Sequence, residues 1–157
     1  MKLESDIEPD IEPDIELQNA LKEDLQLIVN LLKDSNLPHE DVPSKLDCMF
    51  IAYTTSNEVV GIGGVEIYGE YGLLRSLVVK EGLRGKGYGK RLCLKLMERA
   101  KQKGVKEVYL LTTTARTFFE KLGFSVIQRS EVPEVIRKTD EFSSLCPSTA
   151  VCMMRRI

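Results

Sequence analysis

The sequence predicts a mixed α/β or α+β domain in which helices pack against one sheet. Short apolar runs bounded by turn residues predict strands. Two longer segments carry apolar residues at helical spacing, and a basic stretch, GLRGKGYGKR, connects a predicted strand to a predicted helix. A chain of 157 residues with 43% hydrophobic and 29% charged residues is long enough for one domain with a buried core.

The composition excludes several classes of partner. A formal charge of −2 gives no general attraction to nucleic acid or to an anionic membrane. No apolar run approaches the ~20 residues of a membrane span, and the N-terminus lacks a basic region followed by an apolar one. We therefore expect a cytoplasmic protein without nucleic-acid or membrane partners.

The four cysteines predict free thiols rather than a metal site. Cys48, Cys93, Cys146 and Cys152 form no C-x-x-C pair, the spacing of many zinc sites. Nothing in the sequence indicates secretion, so disulfides are not expected. Binding of a soft metalloid by Cys146 and Cys152 is the alternative.

The chain begins with an acidic repeat, DIEPDIEPDIE, at residues 6–16. Pro9 and Pro13 exclude a helix, and the density of charge disfavours a packed segment. We predict a disordered acidic leader over residues 1–14 and a single domain over residues 15–157. A tail that binds a partner is the alternative.

The first half of the domain is predicted to contain four strands and one helix. IELQ is the first strand, and a helix follows with Leu21, Leu25, Ile28 and Leu32 on one face. HEDVPSKLD is predicted to be a polar loop. Strands MFIAYTT, EVVGIGGVEIY and YGLLRSLVV follow, joined by the turns SN and GEYG.

The second half begins with a helix that ends at Gly104, with Leu92, Leu96 and Ala100 on its apolar side. KEVYLLT is a buried strand, TARTFFEKLG a short helix, and FSVIQRS another strand. VPEVIRKTDEFSSL opens with a proline suited to a helix start. AVCMMRR is a last strand, and exposed sheet edges near the C-terminus favour a homodimer.

The stretch at residues 82–91, hereafter the glycine loop, predicts a site for a diphosphate. A helix N-terminus attracts phosphate, and glycines let the backbone approach it closely. Arg84, Lys86, Lys90 and Arg91 add positive charge. The loop does not match a Walker A motif, and Lys90 replaces the third glycine of the dinucleotide fingerprint. A glycine-rich turn that caps a surface helix is the alternative.

Two motifs resemble those of the GCN5-related N-acetyltransferases (GNAT). RGKGYG, in the glycine loop, is similar to the first signature of that family and follows the strand SLVV. TARTFFEKLGF is similar to the second. The resemblance covers residues 15–157 and implies a mixed, mostly antiparallel sheet of six to seven strands flanked by about four helices.

The resemblance also implies an acetyl-CoA co-substrate, with its pyrophosphate in the glycine loop and no metal. The backbone amides of Leu77 and Val79 are expected near the acetyl and pantetheine groups, which makes Leu77 a candidate for oxyanion stabilisation. The cofactor-binding residues implied are Leu77, Val78, Val79, Arg84, Gly85, Lys86, Gly87, Tyr88, Gly89, Lys90 and Phe118.

A narrower similarity links LLRSLVV and the C-terminal third of the chain to small acetyltransferases named for arsenic-resistance gene clusters. The acetyltransferase domain of N-acetylglutamate synthases is less similar. Both imply a small amino-acid-like amine acceptor, such as glutamate or a toxic analogue, with Thr113 among its binding residues. The alternatives are a non-catalytic acetyl-CoA sensor and a protein or peptide N-acetyltransferase.

The predicted hairpin brings two charges together. If Gly69 lies opposite Gly72, Tyr68 pairs with Leu73 and Glu66 with Arg75. Arg75 would then bind the carboxylate of the acceptor, and Glu66 would take the proton from its amine. The alternative is an ordinary cross-strand ion pair on a solvated face.

One position departs from the family pattern. Many members have a tyrosine four residues before the glycine of Gly-Phe, where this chain has Phe119. Phenylalanine cannot donate a proton, so the thiolate leaves unprotonated, or water protonates it, or the chain is a weak enzyme. Five C-terminal residues are expected to cover the acceptor pocket: Arg137, Thr139, Cys146, Ser148 and Thr149. The alternative is that they are ordinary residues of a surface loop.

Overall fold

The computed structural model describes residues 13–157, with every side chain except that of Ser144. The predicted leader, residues 1–14, therefore lies almost entirely outside the described residues. Residues 15–157 form a seven-stranded sheet with helices on both faces. The predicted mixed fold is confirmed.

The strands lie in the order β1-β2-β3-β4-β5-β7-β6. Every neighbouring pair is antiparallel except β4 and β5, which are parallel. The strands are β1 (Ile15–Asn19), β2 (Met49–Thr54), β3 (Val59–Tyr68), β4 (Tyr71–Val79), β5 (Glu107–Thr112), β6 (Ser125–Val126) and β7 (Val151–Arg156).

Five α-helices and a π-helical turn cover the sheet. The long helix begins at Tyr88, within the glycine loop and four residues before the predicted start at Leu92. The helices are α1 (Leu25–Asp34), α2 (Val42–Lys45), α3 (Tyr88–Gln102), α4 (Arg116–Lys121) and α5 (Glu134–Arg137), and the π-helical turn is Glu141–Leu145.

The two faces of the sheet carry different helices. On one face, α3 and α4 bury the largest apolar cluster, which includes Leu92, Leu96 and Phe119. On the other face, α1 and α2 pack over Ile51 and Ile62. The C-terminal segment covers β5 and β7 on that second face. Its residues Val132, Ile136 and Phe142 form a third apolar cluster there.

Several predicted elements are corrected. The first helix starts at Leu25, after a 3₁₀ turn, and Leu21 is 56% exposed rather than on the buried face. The predicted polar loop contains helix α2, whose Val42 is fully buried. The strand FSVIQRS is reduced to β6, because only Ser125–Val126 pairs with β7. The last predicted helix is divided between α5 and the π-helical turn.

The predicted hairpin register is wrong by two residues. Tyr68 pairs with Tyr71, and Glu66 pairs with Leu73 rather than Arg75. The turn is Gly69–Glu70, with Gly69 at φ +62°, a value suited to the first central position of a two-residue turn. A shift of two residues keeps every side chain on its face, so the apolar pattern could not distinguish the two registers.

Candidate active site

A cleft opens between the two parallel strands at the centre of the sheet. The β4–β5 ladder comprises only Tyr71–Leu73 paired with Glu107–Tyr109. Both strands continue beyond it, to Val79 and Thr112. No further pairing between them occurs within residues 13–157, so the edge of β4 from residue 74 onward is available to a ligand.

The part of β4 that does not pair with β5 contains a bulge. Ile62 pairs with Val78 but Gly64 pairs with Arg75, so two β4 residues, Ser76 and Leu77, lie opposite one β3 residue. Ser76 has φ +57°, an unusual value for a residue with a side chain. The bulge redirects the backbone at Leu77, the residue predicted to stabilise an oxyanion.

The glycine loop follows β4 and leads into α3. Gly82, Gly85 and Gly87 have φ values of +87°, +80° and +87°, which are left-handed conformations. Gly87 is the N-cap of the 15-residue helix α3, so the N–H groups of the first turn face the loop. Arg84 Nε donates to the carbonyl oxygen of Val79 at 2.9 Å, which ties the loop to the end of β4.

This arrangement fits a diphosphate. The helix N-terminus, the left-handed glycines and the cations lie within ten consecutive residues, and each of them favours a phosphate. A cavity of about 250 Å³ adjoins the loop, lined by Leu31, Asp34, Ser35, Val78, Lys80, Glu81 and Arg84. The site thus continues from the loop along the end of β4.

On the second face of the sheet, Arg75 is the centre of a buried charge cluster. Its side chain is fully buried, and Nη1 and Nη2 donate to the two carboxylate oxygens of Asp41, each at 2.5 Å. Nη1 also donates to Glu66 Oε2 at 2.8 Å, and Nε donates to Ser76 Oγ at 3.1 Å. We call Asp41, Glu66, Arg75 and Glu141 the Arg75 cluster.

Glu66 is held by three donors. The Tyr68 hydroxyl donates to Oε1, and Lys45 Nζ lies 3.4 Å from the same atom. Burial, together with the hydrogen bond to Glu66, raises the pKa of Tyr68, so this phenol stays protonated and remains a donor. The predicted pair of Glu66 and Arg75 is thus formed, but in a buried network and across a diagonal of the ladder.

Glu141 is the least satisfied member of the cluster. It is buried, and its Oε2 has no hydrogen-bond partner. Burial raises the pKa of Glu141 to about 7, although the nearby Arg75 lowers it. A carboxyl group with this pKa exchanges its proton near neutral pH.

A second cavity, of about 70 Å³, lies where β5 ends. It is formed by the loop after α1, the end of β5 and the loop before β7, and it includes the predicted acceptor residue Thr113. Thr112 fixes the adjacent helix, because its Oγ1 accepts the N–H of Ala115 at 3.0 Å. The other lining residues are Asn36, Leu37, Pro38, Leu111, Thr112, Cys146, Pro147 and Ala150.

The comparison with protein families decides the assignment. Residues 15–124 match the model of the acetyltransferase (GNAT) family. The chain belongs to this family. The family resemblance seen in the two sequence motifs is therefore confirmed at the level of the superfamily.

Known proteins are similar to this chain in sequence or in fold. An uncharacterized N-acetyltransferase from Chlorobaculum tepidum is 29% identical over 104 residues, which is 66% of this chain and 64% of the relative. N-acetylglutamate synthase from Neisseria gonorrhoeae, solved with coenzyme A and N-acetyl-glutamate, superposes with a TM-score of 0.78 at 21% identity over 93% of this chain. This chain spans only 36% of that synthase. Rv2747 from Mycobacterium tuberculosis, solved with CoA and NLQ, gives a TM-score of 0.75 at 19% identity and covers 90% of this chain and 99% of that one.

Phe119, which stands where many GNAT proteins have a tyrosine, lies in the core. Phe119 is fully buried and packs edge-on against Phe118 and Phe124, with ring centroids 5.1 and 5.5 Å apart. It belongs to the core formed with α3, as expected for a residue that donates no proton. Phe118 is half-buried beside it.

The cysteines are all free. Burial raises the pKa of Cys146 to about 12, with Glu141 adding to the effect, and burial raises that of Cys152 to about 11. Both thiols are therefore protonated at neutral pH and are poor soft-metal ligands in this state. Among residues 13–157, no group of three or more His, Cys, Asp or Glu side chains is placed to hold a metal ion.

In the same range, no helix is long and apolar enough to cross a membrane.

Sequence reasoning missed two members of the Arg75 cluster. Asp41 lay in a segment interpreted as a polar loop, and Glu141 in a predicted helix with no assigned role. Each is distant from Arg75 in the sequence and carries no motif.

Proposed function

We propose that this protein is an N-acetyltransferase that transfers the acetyl group of acetyl-CoA to the amine of a small amino-acid-like acceptor. The observation that carries the proposal is the free edge of β4, which leaves β5 after Leu73 and leads directly into the glycine loop. In this arrangement the pantetheine arm lies along β4 and the pyrophosphate lies at the N-terminus of α3. Family membership supports the same reaction.

In the proposed reaction, the acceptor amine attacks the thioester carbonyl, and the C–S bond breaks after a tetrahedral intermediate. The backbone N–H of Leu77, redirected by the bulge, stabilises the oxyanion. Because Phe119 is in the core, the CoA thiolate leaves without a tyrosine donor. A thiol pKa near 8.5 is compatible with that departure.

The acceptor is proposed to enter the cavity beside Thr113 and to be an acidic amino acid, glutamate or an analogue of it. The gonococcal synthase, solved with N-acetyl-glutamate, supports this choice by fold. Similarity of the C-terminal motifs to the arsenic-resistance acetyltransferases supports an arsenic-containing analogue as one candidate. The cytoplasmic location and the homodimer stay predictions.

Glu66 and Arg75 are buried and do not line the cavity beside Thr113; their roles as proton acceptor and carboxylate ligand stay a prediction. Their ion pair of 2.8 Å supports a common function. Asp41 occupies both terminal nitrogens of Arg75, so an acceptor carboxylate would have to replace it. Asp41→Asn should therefore lower the KM for an acidic acceptor severalfold, since the competing carboxylate is neutralised. An unchanged or raised KM would contradict carboxylate binding at Arg75.

The reaction is tested by release of free CoA from acetyl-CoA with a panel of amino acids, including glutamate, its phosphinic and arsinic analogues, and simple polyamines. Turnover with an acidic amino acid supports the proposal. Thr113→Val should raise the KM for that acceptor and leave the KM for acetyl-CoA unchanged, with the exposed Thr117→Val as the matched control.

The buried Phe119 favours one second candidate, a non-catalytic acetyl-CoA sensor. Tight binding of acetyl-CoA without release of CoA for any acceptor would support the sensor over the enzyme. Acetylation of a peptide amine instead of a free amino acid would identify a peptide acetyltransferase. Failure to bind acetyl-CoA would contradict both the enzyme and the sensor.

A further inference from the structure

Arg129 is a half-buried cation whose hydrogen bonds go to the wall of the second cavity. Its Nη2 donates to the carbonyl oxygens of Pro147 and Ala150, at 3.1 and 3.3 Å. Both of these residues line the cavity. Arg129 begins a 3₁₀ turn after β6, and two residues earlier the Ile127 N–H donates to the Cys152 carbonyl of β7 at 3.0 Å. The guanidinium is therefore fixed against the loop that precedes β7.

The charge of Arg129 is not compensated by a carboxylate. Within residues 13–157 it forms no ion pair, and its Nη1 and Nε make no hydrogen bond. Its guanidinium carbon lies 6.0 Å from the centroid of the Phe142 ring, a contact that orients the cation without neutralising it. A guanidinium donates through all three of its nitrogen atoms, and the two carbonyls use only Nη2. The N–H groups of Nη1 and Nε are thus left for an anionic ligand or for water.

The second cavity has no charge of its own, since none of the described residues that line it is ionised at neutral pH. Burial raises the pKa of its Cys146 thiol to about 12, and the guanidinium groups of Arg75 and Arg129 oppose that rise. The charge of Arg75 is already balanced, because Asp41 accepts from both of its terminal nitrogens. Arg129 is therefore the cation that gives the cavity wall an uncompensated positive charge.

We propose that Arg129 determines the charge preference of this site: Nη2 holds the cavity wall, and the remaining N–H groups select an acceptor with a negatively charged side chain. The inference deepens the proposed function and rests on it, because that function places an acidic amino acid in this cavity. A guanidinium suits carboxylate, phosphinate and arsinate groups alike, since each presents a pair of oxygen atoms. An acidic acceptor is then bound without removing Asp41 from Arg75.

The test compares glutamate with glutamine, which has nearly the same shape and lacks the side-chain charge. Their Kd values are obtained with CoA present, by titrating the amide chemical shift of Thr113. The wild type should bind glutamate about tenfold more tightly than glutamine. Arg129→Gln should bind glutamate about tenfold more weakly and keep its Kd for glutamine within about twofold. Arg129→Lys should retain a preference for glutamate, because lysine keeps the charge.

Arg99→Gln is the matched control. Arg99 is also half-buried, donates to the carbonyl oxygen of Leu17 at 3.3 Å, and lies 5.1 Å from the centroid of the Phe50 ring. It does not line the second cavity, so its replacement should leave both Kd values unchanged. If the wild type shows no preference for glutamate, the proposal is overturned. If Arg129→Gln weakens both ligands equally, Arg129 only holds the wall, and its selective role is overturned.

A measurement on the wild type alone does not depend on the folding of any variant. The Nε–H resonance of Arg129 should shift when glutamate is added and stay in place with glutamine, and an unshifted resonance would refute the contact. Binding is also separate from turnover. If no amino acid releases CoA but the preference for glutamate depends on Arg129, the inference holds and the proposed reaction fails. If an acidic amino acid is acetylated and Arg129→Gln keeps the preference, the reaction stands and the inference fails.

Discussion

The glycine loop follows the end of β4, and the Arg75 cluster is centred on a residue of the same strand. The two sites are built in opposite ways. The loop is local, since ten consecutive residues supply its glycines and cations, and its Lys86 is exposed. The cluster draws Asp41, Glu66 and Glu141 from three separate elements around one arginine. Its charges are buried, whereas the three other cations of the loop, Arg84, Lys90 and Arg91, are only partly buried.

This difference separates binding from stability. A charge that is exposed contributes little to folding but is free to meet a ligand. A charge that is buried must be compensated by its neighbours, so its loss leaves other charges without partners. Substitutions in the loop should therefore change coenzyme affinity, while those in the cluster should first change the free energy of unfolding.

The largest expected effect is in Arg75→Met. The variant leaves the buried carboxylates of Asp41 and Glu66 without their cation, which should cost about 3–5 kcal/mol of unfolding free energy. Denaturant titration followed by circular dichroism measures the loss. Arg99→Met is the control, because Arg99 also contacts backbone and an aromatic ring but is only half-buried. If both variants lost the same unfolding free energy, the buried Arg75 cluster would contribute no more to stability than a half-buried arginine.

The next effect concerns Glu141 and pH. Because its pKa is about 7 when folded and 4.5 ordinarily, the folded chain keeps a proton that the unfolded chain has lost. Wild-type stability should therefore fall as pH rises from 4.5 to 7, by about 3 kcal/mol, and Glu141→Gln should lack this decline. Unfolding free energies across this pH range test the sign. The control variant, Glu134→Gln at an exposed position, should show the same fall in unfolding free energy as the wild type. If Glu141→Gln showed that fall as well, the raised pKa of Glu141 would be contradicted.

Phe119→Tyr tests whether the family tyrosine can simply be restored. Phe119 is fully buried among aromatic rings, so a hydroxyl there loses its water without gaining a partner. We expect a loss of about 1–3 kcal/mol in unfolding free energy and no increase in kcat. A stable variant with faster CoA release would instead show that this position reaches the thioester.

The smallest effect on stability is expected in the loop. Lys86→Ala should leave the unfolding free energy unchanged within about 0.5 kcal/mol. It should weaken CoA binding about fivefold at low salt and less at high salt, because the lost contact is a screened ion pair. Calorimetry measures the Kd, with exposed Lys101→Ala at the far end of α3 as the control. Equal changes in both variants would indicate a general effect of charge.

The strands, the long helix and the glycine loop were predictable because their signals are local. Alternating or continuous apolar runs define β2 to β5, and Gly104 ends the predicted helix near its observed end at Gln102. Short elements were less predictable. Helix α2 has a single turn, and β6 pairs only two residues, so tertiary contacts rather than propensity decide them.

The sequence by itself determined the fold class, the motif that names the family and the face on which Glu66 and Arg75 lie. A strand has a side-chain period of two, so the shared face survived an error of two residues in register. Only the tertiary structure decided that Asp41 and Glu141 join that pair and that the cluster is buried. Contacts between residues so distant in sequence depend on how the helices pack on the sheet, and no local pattern encodes that packing.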